Sequence, residues 1–180
     1  MEHLKPTGRE VRLIRILTLL LISLAVLSGV SCGPNVIKGR PPFVNISGMS
    51  LVADTMSASF DISNQNGVPM DIDDMEISVR VNTSELTRYN SQDSLLIGAN
   101  TTEEVSVQSI PDDFTRNLLT SLDNGQLQSL SFDLEGRVHT LEDGYLRFEQ
   151  KGYLYPVPGR PGHFRSAVTQ AKDLVREKPH

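Results

Sequence analysis

Asp71, Asp73, Asp74 and Glu76 place four carboxylates within six residues, the densest set of side chains in the sequence able to do chemistry. Grouped carboxylate oxygens are what a hard cation such as calcium requires. The calcium-loop pattern also needs a glycine at its sharp turn and a spaced terminal Glu, and Asp71-Ile72-Asp73-Asp74-Met75 supplies neither. The cluster therefore reads as a solvated acidic turn, and no metal is expected. His3, His139, His163 and His180 show no His-x-x-x-His spacing, and no cysteine pair accompanies them. His139 is expected to be structural or to face solvent. Nucleophilic catalysis needs a Ser or Cys activated by a positioned base. Gly67, Gly98, Gly125 and Gly144 stand as isolated turn residues, not as a phosphate cradle. No catalytic site, cofactor or small-molecule substrate is expected. Asn45, Asn82 and Asn100 begin Asn-x-Ser/Thr triplets, which matter only in a eukaryotic secretory route and are read as chance.

One thiol remains, on Cys32, the only cysteine. Lys5, Arg9, Arg12 and Arg15 precede the apolar run from Ile16 to Leu27, and Ser28-Gly29-Val30-Ser31 leads into Cys32-Gly33. Charge, then apolar residues, then small residues is the order of a secretory signal peptide. The junction resembles the lipobox of bacterial lipoproteins, with Gly29 where Leu usually stands. The resemblance implies that residues 1–31 are a lipoprotein signal peptide and that Cys32 is the lipid attachment site, carrying palmitate. Two alternatives stay open. One is an uncleaved anchor, for which the 15 residues from Ile16 to Val30 fall short of the roughly 20 that span a bilayer; the other is ordinary cleavage leaving a free thiol. Gly33, standing where Asp would retain the protein at the inner membrane, resembles the sorting signal for the outer membrane. The expected location is the cell envelope, on the periplasmic face of that membrane.

Removing 31 residues leaves 149, a single-domain length with no second cysteine for a disulfide. Residues 41–150 hold 18 acidic and 5 basic side chains, whereas residues 151–180 hold 2 and 6. So acidic a domain is repelled by phosphate backbones, which argues against nucleic-acid partners.

The elements that must carry these residues are mostly strands. Gly33 to Pro42 is too rich in Gly and Pro for regular structure and reads, with Cys32, as a tether over 32–42. Met56, Ala58, Phe60 and Ile62 alternate with polar residues, as every second residue does again from Met75 to Asn82. Asn64 to Pro69 is turn chemistry between them. Further strands are expected at Leu86–Tyr89, Ser94–Gly98, Thr102–Ile110, Leu130–Val138 and Tyr145–Tyr155, the last two joined by a turn at Leu141–Gly144. Phe114, Leu118 and Leu122 recur at helical spacing after Pro111, with Gly125 at the far end. Their stripe is expected to face the core. The spacing thus predicts an all-β sandwich of about seven strands over 43–155 with one short inserted helix. Residues 156–180 are expected to be a basic polar tail, with at most a marginal helix over 167–176.

These residues resemble the late embryogenesis abundant type 2 family, which carries the water-stress and hypersensitive-response (WHy) domain. Phe60 to Ile72 is similar to the family's alternating strand, Asn-Pro-Asn turn and returning apolar segment, with Gln65 in place of the usual Pro. Met75 to Asn82 resembles the next strand, and Leu130–Gly136 and Phe148–Leu154 resemble two glycine-bearing terminal strands. The resemblance implies an immunoglobulin- or fibronectin-III-like sandwich without a catalytic site, linked to desiccation and related stresses. Together with Cys32 it suggests a non-enzymatic, membrane-anchored envelope lipoprotein that protects or binds envelope components under stress. The alternative is an accessory docking subunit of an envelope transport or assembly complex.

Overall fold

A computed structural model describes residues 36–82 and 84–174. The signal segment with Cys32 and the last six residues lie outside the described residues. Those described belong to one compact unit that begins at Val36.

Alternation organises the strands as expected. In β2 (Thr55–Ser63) Met56, Ala58, Phe60 and Ile62 are all fully buried, with the intervening residues half-exposed. On one side β2 pairs with β1 (Phe43–Val52), and on the other with β6 (Thr102–Ser109). The remaining strands are β3 (Met70–Val81), β4 (Ser84–Ser91), β5 (Leu95–Ile97), β7 (Leu130–Thr140), β8 (Gly144–Pro156) and β9 (His163–Leu174). All pairings are antiparallel, and the sheet order is β4-β3-β7-β8-β9-β1-β2-β6. β5 occupies the same edge of β3 as β4, beyond its end. The outermost strands β4 and β6 come close to each other, so the sheet curls nearly shut around its core.

The result is nine strands in one nearly barrel-shaped sheet instead of a seven-stranded sandwich. β1 escapes the period-2 signal because a register shift between Ile46 and Gly48 breaks its alternation: Val44 and Ile46 point inward, then Met49. β9 occupies a stretch expected to be polar tail. Among its residues of described burial Phe164 alone is buried, so its own pattern is weak, and pairing with β8 from Arg147↔Leu174 to Pro156↔Phe164 specifies it. The marginal helix over 167–176 is absent from its described part, which is strand to Leu174.

The helix α1 (Asp113–Asp123) starts where expected, with Asp112 Oδ1 accepting from the Thr115 N–H at 2.7 Å. Its buried face differs from expectation. Thr115, Leu119 and Leu122 point inward, Leu118 is half-buried, and Phe114 is 51% exposed. Phe114 and Thr115 lie about 100° apart around the helix, so a stripe centred on Leu119 and Leu122 turns Phe114 outward.

Candidate functional site

The acidic cluster lies in strand, not in a turn. β3 buries Met70 and Ile72, then changes phase to bury Met75, Ile77, Val79 and Val81. An extra residue at Asp73 makes the change, since Ile72 pairs with Thr140 and Asp74 with His139. Consecutive carboxylates at a bulge resemble a turn in sequence because alternation stops there. Partners then disperse the carboxylates. Asp71 Oδ1 accepts from the Ser94 hydroxyl at 2.8 Å, and Asp73 Oδ1 meets His139 Nδ1 at 2.6 Å. Glu76 takes Arg88 at 2.7 Å on one oxygen and Arg137 at 3.1 Å on the other. Among the described residues, no three His, Cys, Asp or Glu side chains converge as a metal site would need. His139 is half-buried, its ring 4.6 Å from that of Tyr145, over which Arg137 also lies.

Beyond Glu76 the outer face of β4, β3, β7 and β8 is a grid of opposite charges. Arg80 pairs with Glu135, Arg88 also with Glu85, and Lys151 with Asp133 at 2.9 Å. Glu85, and then Glu76, raise Arg88 above the ordinary guanidinium value, while Asp133 raises Lys151 above the ordinary amine value. Arg80, Arg88, Arg137 and Arg147 border a shallow hollow of about 260 Å³ between these strands. Four of the five basic residues in 41–150 thus meet on one face. Sequence spacing hides this because the strands that carry them are adjacent in space but distant in the chain.

A larger cavity, about 420 Å³, opens at the end of the barrel where the chain enters it. Val68, Pro69, Met70, Leu96 and Leu141 give it apolar walls, while Lys38, Asp71, Glu142 and Asp143 lie around it. Asn64 and Asn66, from the expected turn, build this end. Asn64 Nδ2 donates to the carbonyls of Val68 at 2.8 Å, Ile97 at 3.3 Å and Gly98 at 3.0 Å, and its Oδ1 accepts the Asn66 N–H at 2.9 Å. Asn66 in turn clasps Arg40, accepting its N–H and donating to its carbonyl, each at 3.0 Å. The Gly67 N–H adds a bond to the Ile37 carbonyl at 3.0 Å. Residues 37–40, expected to be free tether, are therefore strapped to the barrel. The local turn chemistry of Asn64 and Asn66 does not reveal these long-range bonds, since Arg40, Ile97 and Gly98 lie 26 to 34 residues away.

Asn82 and Asn100 take left-handed backbone conformations, with φ of 56° and 55°. Asn tolerates that region, so turn geometry accounts for these two triplets. Cys32, the one predicted site residue, lies outside the described residues. No helix among the described residues is long and apolar enough to cross a membrane.

The family model described as late embryogenesis abundant protein, of type 2, matches residues 59–152, just over half of the chain. The match begins in β2, ends in β8, and takes in Asn64, Asn66 and the charge grid. Against curated proteins the sequence finds no match. Among solved structures, a crystal structure of a protein from Archaeoglobus fulgidus is similar at 12% identity and a TM-score of 0.34, over 76% of this chain and 98% of that one.

Proposed function

Because the chain belongs to the late embryogenesis abundant type 2 family, we propose that it is a non-catalytic, stress-protective lipoprotein, held in the cell envelope by a lipid on Cys32. The family match over residues 59–152 carries the stress-protective part of this reading, and the lipid anchor rests on the lipobox-like sequence before Cys32. The charge grid supports it chemically, since paired and exposed arginines and carboxylates present donors and acceptors to a client surface as water is withdrawn.

Freeze–thaw inactivation of a labile test enzyme measures the activity. The chain from Gly33 onward is expected to preserve more enzyme than an equal mass of albumin, and equal protection by albumin overturns the proposal. A docking subunit is the second reading, and one observation favours it. Past Ser166, whose hydroxyl still bonds Ile46 of β1, β9 pairs with β8 alone among the described strands, which leaves backbone groups on its other edge for an added strand. A stoichiometric partner in cross-linked membranes would select that reading.

A further inference from the structure

The strapped tether fixes which end of the barrel faces the anchor. Three residues separate Cys32 from Val36, so the four steps between them span at most about 14 Å at full extension. From Ile37 on, the chain is bonded to the turn at Asn66 and Gly67, and Gly39 passes beside Asp143. An anchor at Cys32 thus holds this end, and no other, against the bilayer. Large apolar side chains crowd the same end: Val36 is 49% exposed, Ile37 46%, Leu96 64% and Leu141 78%. Leu96 and Leu141 stand on either side of the 420 Å³ cavity. Leu141 forms the tip of the β7–β8 hairpin, and Tyr145 follows it, 43% exposed, a residue type that favours the membrane interface.

We propose that this end is a membrane-docking surface, in which Leu96 and Leu141 enter the headgroup region of a zwitterionic bilayer and orient the barrel on it. The proposal rests on the lipid anchor at Cys32 from the preceding reading. Zwitterionic lipid is specified because Asp71, Glu142 and Asp143 outnumber Lys38 around the cavity and disfavour an anionic surface. The apolar contact can be weak, since a short tether raises the local concentration of membrane far above that for a free protein.

The sequence contains no tryptophan, so one introduced Trp is a unique reporter. The full chain is coupled through Cys32, its sole thiol, to a maleimide phospholipid in phosphatidylcholine–phosphatidylethanolamine vesicles with brominated acyl chains. Leu141→Trp is expected to be quenched about threefold more than Phe114→Trp, which lies at the opposite end of the barrel, consistent with interfacial burial of ~5–10 Å. Adding Leu96→Asp should bring Leu141→Trp down to the Phe114→Trp level. Equal quenching at the two reporters, or no effect of Leu96→Asp, overturns the docking surface. Both replaced leucines are exposed, and a circular dichroism melt confirms that the variants fold. The anchor is tested separately: Cys32→Ala should abolish palmitate labelling in cells, and persistent labelling overturns the anchor. Chemical coupling supplies the lipid in either case, so the two failures are distinct.

Discussion

Gly136 and Gly152 lack side chains because two phenylalanine rings fill the space. Across β7 and β8, Gly136 pairs with Phe148 and Phe132 with Gly152, so each ring lies over the opposite glycine. A Cβ on Gly136 would meet the Phe148 ring and sit 2.7 Å from the Glu76 carbonyl oxygen. On Gly152 it would meet the Ala167 carbonyl oxygen and sit 2.7 Å from the Phe132 ring. Backbone oxygens cannot swing away as a side chain can, so Gly136→Ala and Gly152→Ala should each cost about 1–3 kcal/mol, read as a lower urea midpoint. Gly48→Ala, with nothing within 4 Å of the new methyl, should leave the midpoint nearly unchanged. The sequence displays the two Phe-x-x-x-Gly runs, but not that they interlock. That depends on the register between strands, which neither strand carries alone. The bonds from Asn66 to Arg40 were hidden for the same reason: local chemistry announces a turn, whereas the strap requires a partner placed by the whole fold.

Within elements, apolar spacing is legible and its phase is not. Helix α1 shows this, because Phe114, Leu118 and Leu122 share a sequence stripe with Thr115 and Leu119, and only packing decides which edge of it faces in. Leu119 is fully buried, so Leu119→Ala should cost about 2–5 kcal/mol. Phe114→Ala should change stability by less than about 0.5 kcal/mol, and a thermal melt of the two variants compares them. The start of α1 also responds to pH. Hydrogen bonding from Thr115 holds the Asp112 carboxyl below its ordinary 3.8. A carboxyl depressed in the folded state contributes fully above its unfolded value and loses that contribution as pH falls through the folded one. Asp112→Asn keeps the cap but cannot titrate, so the native chain should lose stability relative to it as pH falls below the ordinary 3.8 and through the lower folded value. Parallel melts across that range would reveal no divergence if the cap carried no charge effect. β3 posed the same problem of phase, as both of its inward runs are visible in the sequence while the bulge between them looks like a loop.

At the scale of the molecule, β9 holds the barrel together. Strands β4, β3, β7 and β8 form one half of the sheet, β1, β2 and β6 the other, and β9 is the strand between them. It follows β8 over most of its length and meets β1 at Met49↔Phe164 and Ser50↔His163. Near the latter, the Leu51 N–H donates to the Gly162 carbonyl at 2.7 Å, and the Ser166 hydroxyl donates to the Ile46 carbonyl at 2.8 Å. By composition, residues 156–180 look dispensable, because side-chain pattern records burial, and this strand contributes chiefly backbone bonds and one buried Phe164. A chain ending at Pro156 would leave the edge of β8 unpaired, open the core beside Met49, and expose two sticky strand edges at once. Such a chain should lose its cooperative thermal transition and elute as aggregate in size exclusion, whereas one ending at Leu174 should melt like the full domain. A cooperative melt from the shorter chain would mean that β1 and β8 can close on each other, and that β9 is an added strand and not the joint.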